Sequence, residues 1–386
     1  MGRKFLIIDD SALMRRVISD IIKMNSEYEV LDIAVNGVEG LDKMIAHPGY
    51  YDLVILDINM PKMNGLEVLE MLQKNRMHEA VVVVSTLAKE GAKETMEALE
   101  LGALDFVTKP ENFYEVKGDG FRSKIVEMIE MVTGRDLNRH RLSGTGTSTH
   151  SVGLSNLRNV VNTTRPNRVD ADMGDAVKRT DAVVKQASGV KRGKNKLVAI
   201  ACSTGGPKSL QSVIPLLPAN LDAAVLLVQH MPKGFTASLA HRLNTLSPME
   251  VSEAVDGEVI KKGHVYIAPG GTHLTVACRG TEHIIKYDLS PAVDGLRPCA
   301  NIMYDSLIRT DYDEITCVIL TGMGSDGTKG IKSLSDAHKS IYVIGQDADS
   351  CVVYGMPRAI AEAKLTNEVK PLDNIAESII KNVGVS

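Results

Sequence analysis

Leu53-Val-Ile-Leu-Asp-Ile-Asn-Met-Pro-Lys-Met-Asn-Gly65 sets four apolar residues in a row, closes them with a carboxylate, and follows with Pro61 and an Asn64-Gly65 turn pair. A short unbroken apolar run bounded by turn residues reads as a strand buried on both faces, the kind that parallel sheets use. Asp57 then stands at the carboxyl end of that strand. The same pattern recurs on either side, with strand candidates at residues 5–8, 30–34, 81–84 and 104–107. Between and after them, residues 12–24, 38–46, 66–74, 93–101 and 121–132 carry apolar side chains three and four apart, the helical period. Five βα units within residues 1–132 predict a doubly wound, five-stranded parallel sheet whose ligand site lies at the strands' carboxyl ends.

That topology gathers particular chemistry on one rim. Asp9 and Asp10 end the first strand, Asp57 the third and Ser85 the fourth, and Lys109 follows the fifth. Three crowded carboxylates repel one another unless a hard cation neutralises them, and Mg²⁺ with oxygen ligands suits that role. A lysine and a hydroxyl nearby would complete a site for a phosphoryl group carried on a carboxylate. An aspartate at a strand end is by itself an ordinary turn or helix cap. The coincidence of all five residues at one rim argues for function.

Residues 1–132, with Asp57-Ile-Asn-Met-Pro-Lys-Met-Asn-Gly65 at their centre, resemble a response-regulator receiver domain. The resemblance implies Asp57 as phosphoacceptor, and Asp10, Asp57 and the Asn59 carbonyl as Mg²⁺ ligands with Asp9 in support. It also implies Ser85 and Phe106 as a switch pair and Lys109 as a phosphate contact.

Composition bounds the remainder. The chain has 386 residues, enough for two domains and a connector, with 44% hydrophobic and 24% charged residues, as in soluble globular proteins. A net charge of −4 disfavours a dedicated nucleic-acid binder. Five widely spaced cysteines without a C-x-x-C pair argue against a disulfide framework and a zinc site. The four apolar residues before Asp9 are too few for a signal peptide, and no apolar run approaches the ~18 residues of a membrane span, so a reducing cytoplasm is the expected compartment. Residues 135–196 hold 13 Lys and Arg against five Asp and lack Phe, Tyr and Trp. Such a stretch cannot bury enough apolar surface to offset its ordering entropy. Residues 133–196 are therefore expected to form a basic flexible linker, with short helical turns near 154–161 and 176–186.

Alternation resumes in residues 197–386, with buried strand candidates at 197–201, 224–228, 315–320 and 341–344, and short strands and turns across 251–288. The expectation is a second α/β, doubly wound domain with an antiparallel insertion. Ser203, in Ala201-Cys-Ser-Thr-Gly-Gly-Pro207, stands where a strand turns into a helix N-terminus, whose amides stabilise an anion. His230 ends the next strand and Asp326, in Leu320-Thr-Gly-Met-Gly-Ser-Asp-Gly327, follows a later one, so nucleophile, base and orienting carboxylate converge. The turn lacks a P-loop lysine and the G-x-S-x-G elbow, and the chain order Ser, His, Asp differs from that of α/β-hydrolases. Cys202 is expected to point away as a small buried hydrophobe.

Residues 197–386 resemble the catalytic domain of chemotaxis protein-glutamate methylesterases, which also deamidate glutamine. The motifs are Cys202-Ser-Thr-Gly-Gly206, Gln229-His-Met-Pro232, Tyr266-Ile-Ala-Pro-Gly-Gly271, Leu320–Gly327 and Val352-Val-Tyr-Gly-Met-Pro357. The resemblance implies a Ser203–His230–Asp326 triad and an oxyanion hole from the Thr204 and Met323 amides, with no cofactor for the esterase reaction. It implies methyl-accepting chemoreceptors as substrate, a chemotaxis-type histidine kinase as phosphodonor, no nucleic-acid partner, no membrane insertion and a monomer. The chain has Ala201-Cys202 where the family has Gly-Ala, and Ala292, Asp294, Leu296 and Cys299 where it has Pro, Asn, His and Ser. Its linker is longer than the family's usual connector. A non-catalytic signalling module would be favoured by a missing triad member, and a transcription factor by a helix-turn-helix; neither is found.

Overall fold

Chain order in the first sheet places its site. The structure, a computed structural model, describes residues 2–86, 88–110, 119–143 and 195–386. Five strands, β1 (Arg3–Ile8), β2 (Tyr28–Ala34), β3 (Leu53–Asp57), β4 (Val81–Ser85) and β5 (Asp105–Thr108), pair in parallel in the order β2-β1-β3-β4-β5. The order reverses between β1 and β3, so the crevice beyond their carboxyl ends opens between Asp9-Asp10 and Asp57. Helices α1 (Ala12–Ile22), α2 (Gly37–Ala46), α3 (Gly65–Lys74), α4 (Lys89–Glu100) and α5 (Asp119–Ser143) accompany the sheet. The Ser11, Asn36 and Asn64 side chains cap the first three by accepting backbone N–H groups, and Asn64 with Glu67 forms a full capping box. Helix α5 runs eleven residues beyond the expected end at Val132. The expected linker reading otherwise falls on residues 144–194, outside the described residues.

The second sheet holds seven strands: β6 (Lys196–Cys202), β7 (Ala224–Gln229), β8 (Glu250–Glu253), β9 (His264–Ile267), β12 (Glu314–Ile319), β13 (Ile341–Gln346) and β14 (Glu368–Lys370). Their order is β14-β13-β12-β6-β7-β9-β8, parallel at every pairing. β10 (His273–Arg279) and β11 (Glu282–Asp288) form a separate antiparallel hairpin. The antiparallel insertion is thus smaller than expected. Residues 265–268, read with it, pair in parallel with β7 and β8, because their fully buried His264–Ile267 run suits the interior of a two-sided sheet.

Strand β6 sorts its side chains by the period of two. Val198, Ile200 and Cys202 pack on one face with Leu210 of helix α6 (Gly206–Val213), Phe235 of α7 (Phe235–Leu246) and Ile375 beyond β14. Leu197, Ala199 and Ala201 face Met303 and Tyr304 of α8 (Ala300–Ser306) and Leu274 of the hairpin. Helices α9 (Thr328–Asp336), α10 (Met356–Glu362) and α11 (Leu372–Val383) complete the layers. Residues Met1–Leu137 and Asn195–Ser386 pack together as one compact unit.

Candidate functional sites: an acidic rim and a serine–histidine–aspartate cavity

At the first rim, Lys109 Nζ lies 2.7 Å from Asp57 Oδ2 and 3.0 Å from Asp9 Oδ2. Asp9 is held in place by the Ser11 N–H, which donates to its Oδ1 over 2.8 Å. Carboxylate oxygens of Asp9, Asp10 and Asp57 all lie within 4.8 Å of one another, with Asp10 exposed and the other two buried. Burial pushes the Asp57 carboxyl up to about 6; Lys109 opposes that rise and the Asp9 charge adds to it. Lys109 is itself held above its ordinary value: burial would lower it, and the charges of Asp57 and Asp9 outweigh that. Lys109 stays charged, and one ammonium facing three carboxylates leaves the rim with excess negative charge. A hard divalent cation supplies the missing charge, so the residues present fit Mg²⁺.

The other residues expected here are less uniformly placed. The Asn59 N–H donates to Asp57 Oδ1 at 3.4 Å, and its side chain donates to Glu94. The Ser85 hydroxyl turns away from Asp57 and donates to the Gly91 carbonyl, 3.1 Å, at the start of α4. The Phe106 ring leaves the rim altogether and stacks on Phe235 of α7, with centroids 4.8 Å apart and planes 7° from parallel.

The second site sits where the seven-stranded order reverses between β6 and its neighbours β12 and β7. Ser203 follows β6, its N–H donating to the Thr321 carbonyl at 3.0 Å. The turn continues through Gly205, whose φ of +75° only glycine adopts freely, and α6 begins at Gly206. A Cβ on Gly206 would stand 2.0 Å from Gln229 Oε1, so glycine is required for β7 to lie so near. That same Gln229 oxygen accepts from the Cys202 thiol at 3.0 Å, and burial drives the thiol far above its ordinary range; Cys202 is the buried, inert neighbour the sequence suggests.

His230 Nε2 lies 2.7 Å from Asp326 Oδ2. Asp326 also accepts from the Ala300 N–H at 2.6 Å, the Asn301 N–H at 2.9 Å, the Gly327 N–H at 2.9 Å and the Cys299 thiol at 3.1 Å. Burial alone would raise its pKa, but the hydrogen bond and charge of His230 and the Ala300 and Asn301 amides outweigh it and hold the carboxyl at about 2. Asp326 is therefore ionised at neutral pH and can only accept, so His230 donates from Nε2 and Nδ1 is the nitrogen left for a second partner. Ser203, His230, Asp326 and Met323 share one cavity of about 720 Å³. Among the described residues, Ser203 Oγ, the Thr204 N–H and the Met323 N–H make no hydrogen bond to the rest of the chain.

One contribution was not read from the sequence. Cys299 donates its thiol to Asp326; burial and the Asp326 charge raise that thiol to about 12, so it stays protonated. The receiver-like half also reaches this cavity. Arg122, Ser123, Val126, Glu127 and Glu130 of α5 line the cavity that holds Ser203. Asp105 Oδ2 accepts the Gly205 N–H at 3.3 Å, two residues from the serine. Arg242 of α7 pairs with Glu100 of α4 at 2.5 Å. Contact is made through α4, edge strand β5 and α5.

Residues 198–379 match the CheB methylesterase family model and residues 5–118 the response regulator receiver domain model. A protein-glutamate methylesterase/protein-glutamine glutaminase of Desulfotalea psychrophila is 38% identical over 98% of this chain and 98% of its own. One so named from Geobacillus kaustophilus is 38% identical over 99% of each chain. The crystal structure of the Thermotoga maritima CheB methylesterase catalytic domain is 42% identical, covers 49% of this chain and 99% of that one, and has a TM-score of 0.47. With both domain types in one order and full-length relatives at this identity, the chain belongs to the protein-glutamate methylesterase/protein-glutamine glutaminase family.

Proposed function

We propose that the chain is a phosphorylation-activated serine esterase and amidase. It releases methanol from glutamate methyl esters and deamidates glutamines on the cytoplasmic helices of methyl-accepting chemoreceptors, for adaptation in chemotaxis. The proposed organisation is a receiver domain over residues 1–132, a basic connector over 133–196 and a methylesterase domain over 197–386. The observation that carries the reading is the ionised Asp326 bound to His230 Nε2 in the cavity that also holds Ser203.

The chemistry is acyl transfer. His230 takes the Ser203 proton on Nδ1 as Oγ attacks the side-chain carbonyl, while Asp326 stabilises the imidazolium that forms. The free Thr204 and Met323 N–H groups receive the oxyanion of the tetrahedral intermediate. The protonated ring passes its proton to the leaving methoxide or amine, and methanol or ammonia departs. Water then repeats the sequence on the acyl-enzyme, with the same ring as base. The esterase reaction uses no cofactor in this scheme.

Asp57 is the proposed phosphoacceptor, fed by a chemotaxis-type histidine kinase, and Lys109 balances the phosphoryl charge. Mg²⁺, held by Asp10, Asp57 and the Asn59 carbonyl with Asp9 in support, supplies electrostatic neutralisation for phosphoryl transfer when bound. Ser85 and Phe106 form the switch pair, and Phe106 touches the esterase half through Phe235. The cavity wall built by α5 supports an inhibited resting state. Among the described residues no helix is long and apolar enough to cross a membrane; a cytoplasmic monomer that binds neither nucleic acid nor lipid completes the proposal.

The test is methanol release from methyl-labelled receptor. Ser203→Ala should lower turnover by ~10⁶-fold with the fold intact, as nucleophile removal does in a well-characterised serine hydrolase. Near-normal turnover would remove Ser203 from the role.

A further inference from the structure

The far end of the β10–β11 hairpin carries a second chemically distinctive cluster. Cys278 and His283 stand directly opposite each other in the antiparallel register, so their side chains share one face of the ribbon. Asp311, in the segment that leads into β12, reaches the same face, its Oδ1 lying 2.7 Å from His283 Nε2. The Tyr312 ring stacks on the imidazole with centroids 4.1 Å apart and fixes its plane. The Cys278 thiol lies 3.7 Å from the Arg309 carbonyl. One ligand atom from each of Cys278, His283 and Asp311 lies within 4.8 Å of the other two.

We propose that Cys278, His283 and Asp311 form a site for a Zn²⁺-class transition-metal ion, separate from the acyl-transfer cavity. Thiolate, imidazole and carboxylate are the borderline-soft donor set that Zn²⁺ takes, and hard Mg²⁺ or Ca²⁺ does not favour sulfur. Tetrahedral zinc bonds of ~2.0–2.3 Å place ligand atoms roughly 3.5 Å apart, so closing by about an ångström completes the set. The two ligands that must move, Cys278 and Asp311, are exposed, and the one that must not, His283, is buried under Tyr312. Binding replaces the thiol proton with the metal and releases that proton to solvent. Three protein ligands leave a fourth position to water, which makes the ion exchangeable, and the bound ion ties the hairpin to the strand that leads towards Asp326. The expectation of no zinc site, drawn from cysteine spacing, fails to reach this case because the ligands come from a cross-strand pair and a distant loop.

The experiment titrates Co²⁺ and then Zn²⁺ into chelator-stripped full-length protein. The expected result is one equivalent of Co²⁺ giving a thiolate-to-metal charge-transfer band that Zn²⁺ displaces, with a rise in Tm on adding Zn²⁺. Cys278→Ser should abolish the band, whereas Cys351→Ser should keep it. Asp311→Asn, at an exposed position that leaves the fold alone, should weaken Zn²⁺ binding by more than the ~10–100-fold lost when only a supporting partner of a metal ligand is removed. Absence of a saturable band in the parent, its survival in Cys278→Ser, or unchanged Zn²⁺ affinity in Asp311→Asn would each overturn the site.

Discussion

The serine is unremarkable by itself; its neighbours supply the asymmetry that the proposed chemistry needs. Four donors besides His230 converge on Asp326, and His230 foremost, with the Ala300 and Asn301 amides, keeps it ionised despite burial. Cys299 is one of the four, because a protonated thiol still donates, though weakly. Asp105 is the opposite case. Burial raises its pKa to about 6, and the Phe106 and Gly205 amides only partly counter the rise. A folded-state value above the ordinary unfolded one means that the native protein binds the proton more tightly. Asp105 therefore costs stability increasingly as pH rises from about 4 through 6. Asp105→Asn removes that titration, so its stability relative to the parent should be more favourable at pH 7.5 than at pH 5, by about 1 kcal/mol. Urea denaturation of both proteins at the two pH values measures it; an equal difference at both would show that Asp105 does not titrate in this range.

At the level of elements, the contacts between the two halves include a ring pair, an ion pair, the Asp105–Gly205 hydrogen bond and the wall that α5 makes. Phe106 on β5 stacks on Phe235 at the start of α7, Glu100 on α4 pairs with Arg242, and α5 walls the cavity. A stacked aromatic pair adds ~0.5–1.5 kcal/mol beyond its buried area. If these contacts hold the receiver over the cavity, Phe106→Ala should raise basal methanol release by about two- to tenfold, the Boltzmann equivalent of that energy. Turnover of the phosphorylated form should change less, since the contact is already released there. Unchanged basal turnover would mean that the ring pair does not restrain the resting enzyme.

For the whole molecule, the expectation is regulation by cover. Deleting residues 1–134 should raise basal activity above that of the unphosphorylated chain, and Asp57→Asn should abolish stimulation by a small phosphodonor. Methanol release measured across the three proteins decides this: an isolated catalytic half no faster than the intact resting chain would dismiss occlusion. Much of this architecture was legible beforehand. Runs such as Leu53–Leu56 and Leu197–Cys202 are wholly apolar and lead into Asp57 and Ser203, and parallel topology turns strand ends into a shared rim, so Asp9, Asp57, Lys109, Ser203, His230 and Asp326 could be named from local patterns. Local pattern determines which face a side chain takes and which end of a strand it occupies, because those follow from periods of two and 3.6 residues. It does not determine contacts between elements far apart in the chain. That Ser85 turns to Gly91, that Phe106 finds Phe235, that Asp105 reaches Gly205, and that Cys278 and His283 meet Asp311 were decided only when the sheets twisted and packed. Each of those contacts depends on shape complementarity between separate layers, and no periodicity in a single stretch of chain encodes it.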